Sequence, residues 1–243
     1  MKLKFSKGNA KLGKNIFTFS LPSGFTCPSA LDCLSKANKE TGKITDGPKT
    51  VFRCFSASQE AVYTAVREQR WFNFNLIRGK SVDEMTNIIK SSLPEKANII
   101  RIHVGGDFFN ETYFKAWLNV AKSTASVIFY AYTKSLDFWV KNMKDIPSNF
   151  KLTASFGGRH DHLINLHNLK YAKVVYSVEE ASKLGLEIDH DDSHAFDGDK
   201  PFSLLIHNTQ PKNSFAAKAL QKLRKLGIGG YGKQKDERIE ITA

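Results

Sequence analysis

Cysteine is almost missing from this sequence: three occur in 243 residues, and all of them lie between positions 27 and 54. Long apolar runs are also missing, because stretches such as SVIFYAY and FSLLI are far shorter than the roughly 20 apolar residues of a membrane-spanning helix. The first residues, MKLKFSKGNAKLGKN, are basic and contain neither the apolar segment nor the cleavage site of a signal peptide. The sequence therefore predicts a cytoplasmic protein in a reducing compartment, with no membrane segment.

The three cysteines share one polar segment near the N-terminus. Under reducing conditions, clustered thiols are more often metal ligands or catalytic groups than a disulfide with an odd thiol left over. The spacing Cys27-x5-Cys33-x20-Cys54 lacks the paired knuckles of zinc fingers and zinc ribbons. Three thiolates suit an iron–sulfur cluster with one iron open to a ligand, whereas four thiolates would close it. A zinc site completed by His103 or His207 is the alternative, and three ordinary cysteines are the third interpretation.

Positive charge is in excess, with 36 Lys and Arg against 24 Asp and Glu, which gives a formal net charge of +12. Such a balance favours polyanionic partners, nucleic acid first, although it also serves solubility alone. No nucleic-acid-binding motif accompanies the charge. The basic residues gather near both ends of the chain: Lys2, Lys4, Lys7, Lys11, Lys14, Lys218, Lys222, Arg224, Lys225, Lys233 and Lys235.

Strand-like and helix-like stretches alternate along the chain. The six strand-like ones cover residues 15–22, 98–109, 126–135, 149–158, 172–178 and 202–208. They are continuous apolar runs, as expected of parallel strands that are covered on both faces. The alternation predicts an α/β fold, either a doubly wound open sheet or an incomplete (β/α)6 barrel. We assign residues 15–227 to this domain, 1–14 to a basic N-terminal extension and 228–243 to a flexible basic tail, and expect one long helix over 56–77.

In either architecture the functional residues lie at the carboxyl ends of the strands. Two glycine pairs occupy equivalent ends, Gly105–Gly106 and Gly157–Gly158, and each precedes a charged residue. Glycine lets a ligand approach the backbone, although turning the chain from strand to helix explains either pair alone. The charged and polar candidates at these ends are Asp107, Lys134, Ser155 and Arg159. The two basic ones suit an anionic ligand such as a carboxylate or phosphate.

A second cluster of polar residues lies between the fifth and sixth predicted strands. Its carboxylates and imidazoles are Asp189, His190, Asp191, Asp192, His194, Asp197 and Asp199. Such a density of ligand atoms suits a divalent metal and would allow a metal-dependent hydrolase. The alternative interpretation is a solvated acidic loop.

A cysteine triad after the first strand, followed by a Gly-Gly-acid segment after the second, resembles the radical S-adenosylmethionine enzymes. That resemblance implies an incomplete (β/α)6 TIM-like barrel with an extended cysteine loop after the first strand. It also implies a [4Fe–4S] cluster on Cys27, Cys33 and Cys54 and an open iron that binds S-adenosylmethionine. By the same resemblance, the cofactor-contacting residues are Phe55, Gly105, Gly106 and Asp107, with Lys134, Ser155 and Arg159 at the neighbouring strand ends.

Two features depart from the usual pattern of that superfamily, which is a compact C-x3-C-x2-C triad and a glutamate. Here twenty residues separate Cys33 from Cys54, so the loop has to fold back on itself, and the acid is the shorter Asp107.

Several longer stretches, among them VFRCFSASQEA, RIHVGGDFFNETYFKAW and IDHDDSHAF, resemble the phage and bacterial family called gene product 88. The resemblance covers nearly the whole chain and implies a phage-type protein in a bacterial host cytoplasm, but it names no substrate or reaction. The leading hypothesis is an iron–sulfur protein, and a radical enzyme if S-adenosylmethionine binds. The alternatives are a cluster-bearing nucleic-acid-binding or regulatory protein and a metal-dependent hydrolase.

Overall fold

Strands and helices alternate in a computed structural model of the chain, which describes residues 1–8, 12 and 16–228. Two sheets are formed in the described residues, one of eight strands and one of two. The strands are β1 (Ser6–Lys7), β2 (Ile16–Phe19), β3 (Ser35–Ala37), β4 (Ile44–Asp46), β5 (Ile99–Ile102), β6 (Ile128–Thr133), β7 (Phe150–Ser155), β8 (Tyr171–Val175), β9 (Glu187–Ile188) and β10 (Phe202–Leu205).

Most of the helices follow a strand and connect it to the next. They are α1 (Phe55–Val62), α2 (Thr64–Ile77), α3 (Val82–Ser92), α4 (Glu111–Lys122), α5 (Leu136–Lys141), α6 (His162–Leu166), α7 (Val178–Lys183), α8 (Ser193–Phe196) and α9 (Phe215–Lys225), with a short 3-10 helix at Met143–Asp145. The start of α3 is a capping box, in which Ser81 and Glu84 satisfy each other's backbone amides. In the described residues, no helix has the length and apolar character needed to cross a membrane.

The large sheet has the strand order β1-β2-β5-β6-β7-β8-β10-β9. All of its pairings are parallel except that of β1 with β2. All six predicted strands are present, and they lie side by side in chain order, so the α/β fold is confirmed. The six predicted strands show no reversal of the kind that defines a doubly wound sheet, so that alternative is wrong, and the two-residue β9 lies outside β10 at the edge. Within the described residues the edge strands β1 and β9 do not pair with each other, so no closed barrel is formed.

The main apolar core lies on one face of this sheet. Buried side chains of β5 and β6, such as Ile100 and Phe129, pack against Trp117 and Tyr113 of α4. The helix is amphipathic and turns a broad apolar stripe to the sheet, so burial of that stripe stabilises the pair. On the other face, a second apolar cluster runs from Ile16 in β2 across to β10, where α8 covers it.

The single helix expected over residues 56–77 is interrupted at Tyr63, which has an extended backbone. The carbonyl of Glu60, which would accept from the amide four residues later in a continuous helix, accepts instead from the guanidinium of Arg67 at 2.6 Å. The chain therefore bends between α1 and α2. The N-terminal cap of α1 is Cys54.

Both ends of the chain were predicted as appendages. In the described part of the N-terminal end, Ser6–Lys7 forms β1 on the edge of the large sheet, and Leu3 is buried in the main core. The predicted C-terminal tail, 228–243, lies outside the described residues except for Ile228.

Candidate functional site

The segment between β2 and α1, residues 20–54, contains all three cysteines and is called here the cysteine segment. It crosses the carboxyl ends of the parallel strands. The amide of Leu21 donates to the carbonyl of Gly105 after β5, at 2.8 Å. Farther along, the amides of Leu31 and Asp32 both donate to the carbonyl of Gly157 after β7, at 3.2 and 3.0 Å. The segment is thus held to the strand ends by backbone hydrogen bonds, where the sequence predicted the functional residues to lie.

A hairpin accounts for the long spacing between the second and third cysteines. Strands β3 and β4 pair antiparallel, and the chain then returns to the point where the hairpin began. The amides of Val51 and Phe52 donate to the carbonyl of Asp32 at 2.7 and 3.1 Å, and the amide of Cys54 donates to the Ser35 hydroxyl at 3.2 Å. The hairpin therefore performs the folding back that the spacing requires, and it brings Cys54 back beside the segment that holds Cys33.

All three cysteines are half-buried, and none is in a disulfide. Burial raises the pKa of each thiol, to about 12 for Cys54. The thiols also affect one another, because negative charge on Cys54 and Cys33 raises the pKa of Cys27, and charge on Cys33 raises that of Cys54. The three sulfurs, which come from positions spread over residues 27–54, therefore lie within range of one another's charge.

Several groups around the sulfurs favour the thiolate form. The amide of Gly24 donates to Cys27 Sγ at 3.3 Å and lowers the pKa of that thiol. The ammonium of Lys134 lowers the pKa of Cys33, and the first amides of α1 lower that of Cys54. These groups would stabilise bound thiolates, because N–H groups and cations near the sulfur compensate its charge.

The sulfurs are not gathered around one point. In the described residues, no group of three or more His, Cys, Asp or Glu side chains is arranged to hold a metal ion. Because burial keeps the thiols protonated at neutral pH, a bound cation would have to displace their protons. Metal binding would therefore require the three side chains to turn toward a common centre.

The glycine pair after β5 is closely packed by protein atoms. A Cβ on Gly105 would lie 2.3 Å from the hydroxyl of Ser56. A Cβ on Gly106 would lie 2.5 Å from the hydroxyl of Thr26, which belongs to the cysteine segment. The absence of side chains at this pair is thus explained by the approach of the cysteine segment and α1.

The second glycine pair is explained in a similar way. A Cβ on Gly157 would lie 2.7 Å from the carboxylate of Asp32. The amides of Gly157 and Gly158 donate to the carboxylate of Asp161 at 2.8 and 2.9 Å. Both pairs thus serve the close packing of the chain on itself at the strand ends.

Asp107 is buried, and three donors surround its carboxylate. The amides of Phe108 and Lys134 and the hydroxyl of Thr133 donate to it at 2.6–2.8 Å. Burial raises its pKa to about 6, although these hydrogen bonds act in the opposite direction. Its carboxylate thus joins the end of β5 to the end of β6.

The ammonium of Lys134 is also occupied within the chain. It donates to the carbonyl and hydroxyl oxygens of Ser155 at 2.8 and 3.0 Å, and to the carbonyl of Phe156. The Ser155 hydroxyl predicted at the site is therefore an acceptor for Lys134. Arg159 lines a small pocket of about 110 Å³ beside Cys33, together with Leu31, Leu34, Pro48 and Lys49.

Phe55, which follows the third cysteine, stacks on two rings. Its centroid lies 3.5 Å from that of His207 and 5.5 Å from that of Phe52. Of the two histidines proposed as a fourth zinc ligand, His207 therefore packs against Phe55. His103 lies in the main core, where its Nε2 is 2.9 Å from the hydroxyl of Tyr113 and burial lowers its pKa to about 3.

The acidic and histidine-rich loop covers the second face of the sheet. Asp192 is buried and accepts from Arg101 of β5 at 2.6 Å. His194 lies between Asp189 and Glu187, with each of its ring nitrogens 2.9 Å from a carboxylate oxygen. This part of the chain, all of it described, contains no group arranged to hold a metal.

Sequence reasoning missed a buried ion pair beneath α1. The carboxylate of Glu60 accepts from Arg70 at 2.6 Å and from the amide and hydroxyl of Ser23. It joins two helices and the cysteine segment, and its charge raises the pKa of Cys54. Nothing in the spacing of Glu60 and Arg70 indicates this pair, because the break at Tyr63 determines their approach.

Comparison with known proteins comes from a family model and from curated sequences. Residues 3–225 match the family model described as Gene product 88. The chain is 30% identical over 138 residues to the Gene 88 protein of Mycobacterium phage D29. The alignment covers 52% of this chain and 50% of that protein. The Gene 88 protein of Mycobacterium phage L5 is also 30% identical over 138 residues, which cover 52% and 51%. These alignments span about half the length of both relatives, and no solved structure matches the chain.

Proposed function

The chain belongs to the Gene product 88 family, and we propose that it binds an iron–sulfur cluster through Cys27, Cys33 and Cys54. One observation carries the proposal: the three cysteines of the chain all lie in the segment that crosses the carboxyl ends of the parallel strands, each within range of another's charge. The curated relatives are phage proteins, so we place the function in a bacterial cell that expresses phage genes.

The surroundings of the thiols support a cluster more than an isolated metal ion. A cluster with three protein ligands supplies an iron with an open coordination position. The Gly24 amide bonded to Cys27 and the Lys134 charge near Cys33 offset the negative charge that three thiolates bring. Turning either histidine considered for zinc toward the cysteines would break a hydrogen bond, of His103 to Tyr113 or of His207 to the Leu205 carbonyl, which disfavours a Cys3His site.

Together with this function we propose that the large sheet is an incomplete (β/α)6 barrel. The six parallel strands in chain order support it. So does the contact of Gln210, after β10, with Arg53 in the cysteine segment after β2. These two segments follow the first and last of the six strands, so a curved sheet brings both to one site.

Binding of S-adenosylmethionine has less support and stays a prediction. Three of the seven residues assigned to it, Gly105, Gly106 and Asp107, already contact protein atoms that fill the space above the glycines and surround the carboxylate. We therefore assign no reaction to the cofactor. Cluster binding is proposed independently of it.

Anaerobic purification followed by iron and sulfide analysis tests the cluster. We expect about four irons and four sulfides per chain, with broad visible absorption from thiolate-to-iron charge transfer. Cys54→Ala should lose most of the iron. Ser56→Ala is the matched control, because it removes one side-chain oxygen two residues away, and it should keep the iron.

Three results would overturn the proposal: a colourless iron-free chain, one zinc without sulfide, or equal iron in Cys54→Ala and wild type. Adding S-adenosylmethionine to the loaded protein is a separate measurement. A change in the electron paramagnetic resonance spectrum of the reduced cluster would support cofactor binding, and an unchanged spectrum would leave a cluster protein without it.

A further inference from the structure

We propose that a groove on the outer side of α2 binds single-stranded nucleic acid. The groove, called here the aromatic groove, is formed by Phe25, Lys36, Lys39, Trp71 and Phe72, with Lys4 at its end. This proposal does not depend on the cluster, because it is carried by a different set of residues.

The groove is open and has aromatic walls. It encloses about 410 Å³, and Trp71, Phe72 and Lys39 are among its lining residues. Phe25 contacts the edge of Trp71 with 5.0 Å between ring centroids. It is 42% exposed, so part of its ring is available to a ligand.

A lysine ammonium lies over each of the three rings. All three lysines are exposed, and the distances from Nζ to ring centroid are 5.4 Å for Lys39 and Trp71, 5.2 Å for Lys36 and Phe25, and 4.7 Å for Lys4 and Phe72. These are cation–π contacts at exposed positions, where water and salt keep each of them weak. Such weak contacts hold the ammonium groups beside the rings without fixing them there.

This alternation of ring and cation fits a single strand of nucleic acid. Bases stack on aromatic side chains, and the lysines, displaced from the ring faces, reach the phosphates between successive bases. A duplex keeps its bases stacked inside and has no free base faces to offer the rings. The net charge of +12 adds a general attraction for the strand.

Two carboxylates in the groove favour nucleic acid over an acidic peptide. Glu40 and Glu68 line it together with Trp71. Their charge repels phosphates as well as the side chains of an acidic peptide, but the two carboxylates can accept hydrogen bonds from the amino groups of bases, which acidic side chains do not offer. The surface therefore differs from a purely basic patch, such as the exposed Lys218 and Lys222 on α9.

Binding of a 12-nucleotide single-stranded DNA, and of the RNA of the same sequence, tests the proposal by fluorescence anisotropy on the full chain. Trp71→Ala should weaken binding about tenfold, or about 1.4 kcal/mol, because it removes one base–aromatic stack. Trp71→Phe keeps a ring and should retain most of the affinity, which separates loss of stacking from misfolding. Trp117 and Trp139 are buried, so fluorescence quenching on binding should come from Trp71 and disappear in both variants.

Charge is tested by a matched pair of double variants. Lys36→Ala with Lys39→Ala should weaken binding several-fold and reduce the slope of log affinity against log salt by about 1–2. Lys218→Ala with Lys222→Ala removes the same charge from α9 and should leave affinity nearly unchanged. Equal losses in the two double variants would overturn the proposal, because binding would then follow total charge alone.

An oligonucleotide of the same length with abasic sites tests the role of the bases. It should bind about tenfold more weakly than the intact strand and should be insensitive to Trp71→Ala. Equal binding of the abasic and intact strands, no binding of either, or tighter binding of a poly-glutamate peptide would each overturn the proposal.

Discussion

Gly24 and Gly79 have nearly the same left-handed backbone, with φ of +73° and +74°, but different surroundings. A Cβ on Gly24 would lie 2.3 Å from the carbonyl oxygen of Ser35, whereas a Cβ on Gly79 would have no atom within 4 Å. The first glycine therefore satisfies both a backbone conformation and a close approach of the cysteine segment to β3. The second satisfies the conformation alone.

Substitution of each glycine by alanine should separate these two requirements. Gly79→Ala should cost about 1–2 kcal/mol of unfolding free energy, the penalty of a left-handed conformation. Gly24→Ala should cost about 2–5 kcal/mol, because overpacking adds about 1–3 kcal/mol to the same penalty. Urea unfolding measures both values. Equal losses would show that the cysteine segment moves freely away from Ser35.

The glycine pairs show what a sequence reveals at the scale of a residue. Gly105–Gly106 and Gly157–Gly158 were singled out as places where a ligand approaches the backbone. The sequence indicates that no Cβ is present there, but it does not indicate what occupies the space. The structure fills it with Thr26, Ser56 and Asp32.

At the scale of an element, the break between α1 and α2 creates the buried pair of Glu60 and Arg70. Both side chains are almost fully buried, and the guanidinium also donates to the carbonyl of Ser56 and to Gln59. Removing one partner of such a pair is costly, because the other charge is left buried without compensation. The pair therefore fixes the packing of α1, and with it the position of Cys54 at the start of that helix.

Arg70→Met should lower the unfolding free energy by about 3–5 kcal/mol. The matched control is Lys80→Met, which breaks the exposed pair with Glu84 and should leave the unfolding free energy nearly unchanged. Combining Arg70→Met with Glu60→Gln should recover part of the loss, since no buried charge then remains. Urea unfolding of the four chains checks these values, and a small effect of Arg70→Met would show that water reaches Glu60.

At the scale of the whole molecule, the long apolar strands were predicted from the sequence and the short strands were not. The six parallel strands follow from continuous apolar runs, whereas their order in the sheet was left open between a doubly wound sheet and an incomplete barrel. The two-residue strands β1 and β9 and the three-residue strands β3 and β4 are too short to carry a pattern. Likewise, the placement of the cysteines at the strand ends was predicted. The hydrogen bonds that already engage Asp107 and Lys134 were not, because their partners Thr133 and Ser155 lie more than 20 residues away in the chain.

The contact between Gln210 and Arg53 joins segments 157 residues apart, and no local pattern predicts it. The buried amide of Gln210 accepts from the amide of Arg53 at 2.8 Å and donates to its carbonyl at 3.2 Å. Arg53 immediately precedes Cys54, so the loop after β10 holds the third cysteine in place. Loss of both hydrogen bonds should make local opening around Cys54 more frequent.

In the metal-free chain, Gln210→Ala should therefore increase the rate of Cys54 alkylation by about tenfold, with little change at Cys27. Mass spectrometry after timed exposure to iodoacetamide distinguishes the two sites. Gln69→Ala is the control, because Gln69 makes its hydrogen bonds on the surface, to Lys4 and Ser6. Equal acceleration at both cysteines would indicate global unfolding, whereas acceleration at Cys54 alone means that the first and last parallel strands position this thiol jointly.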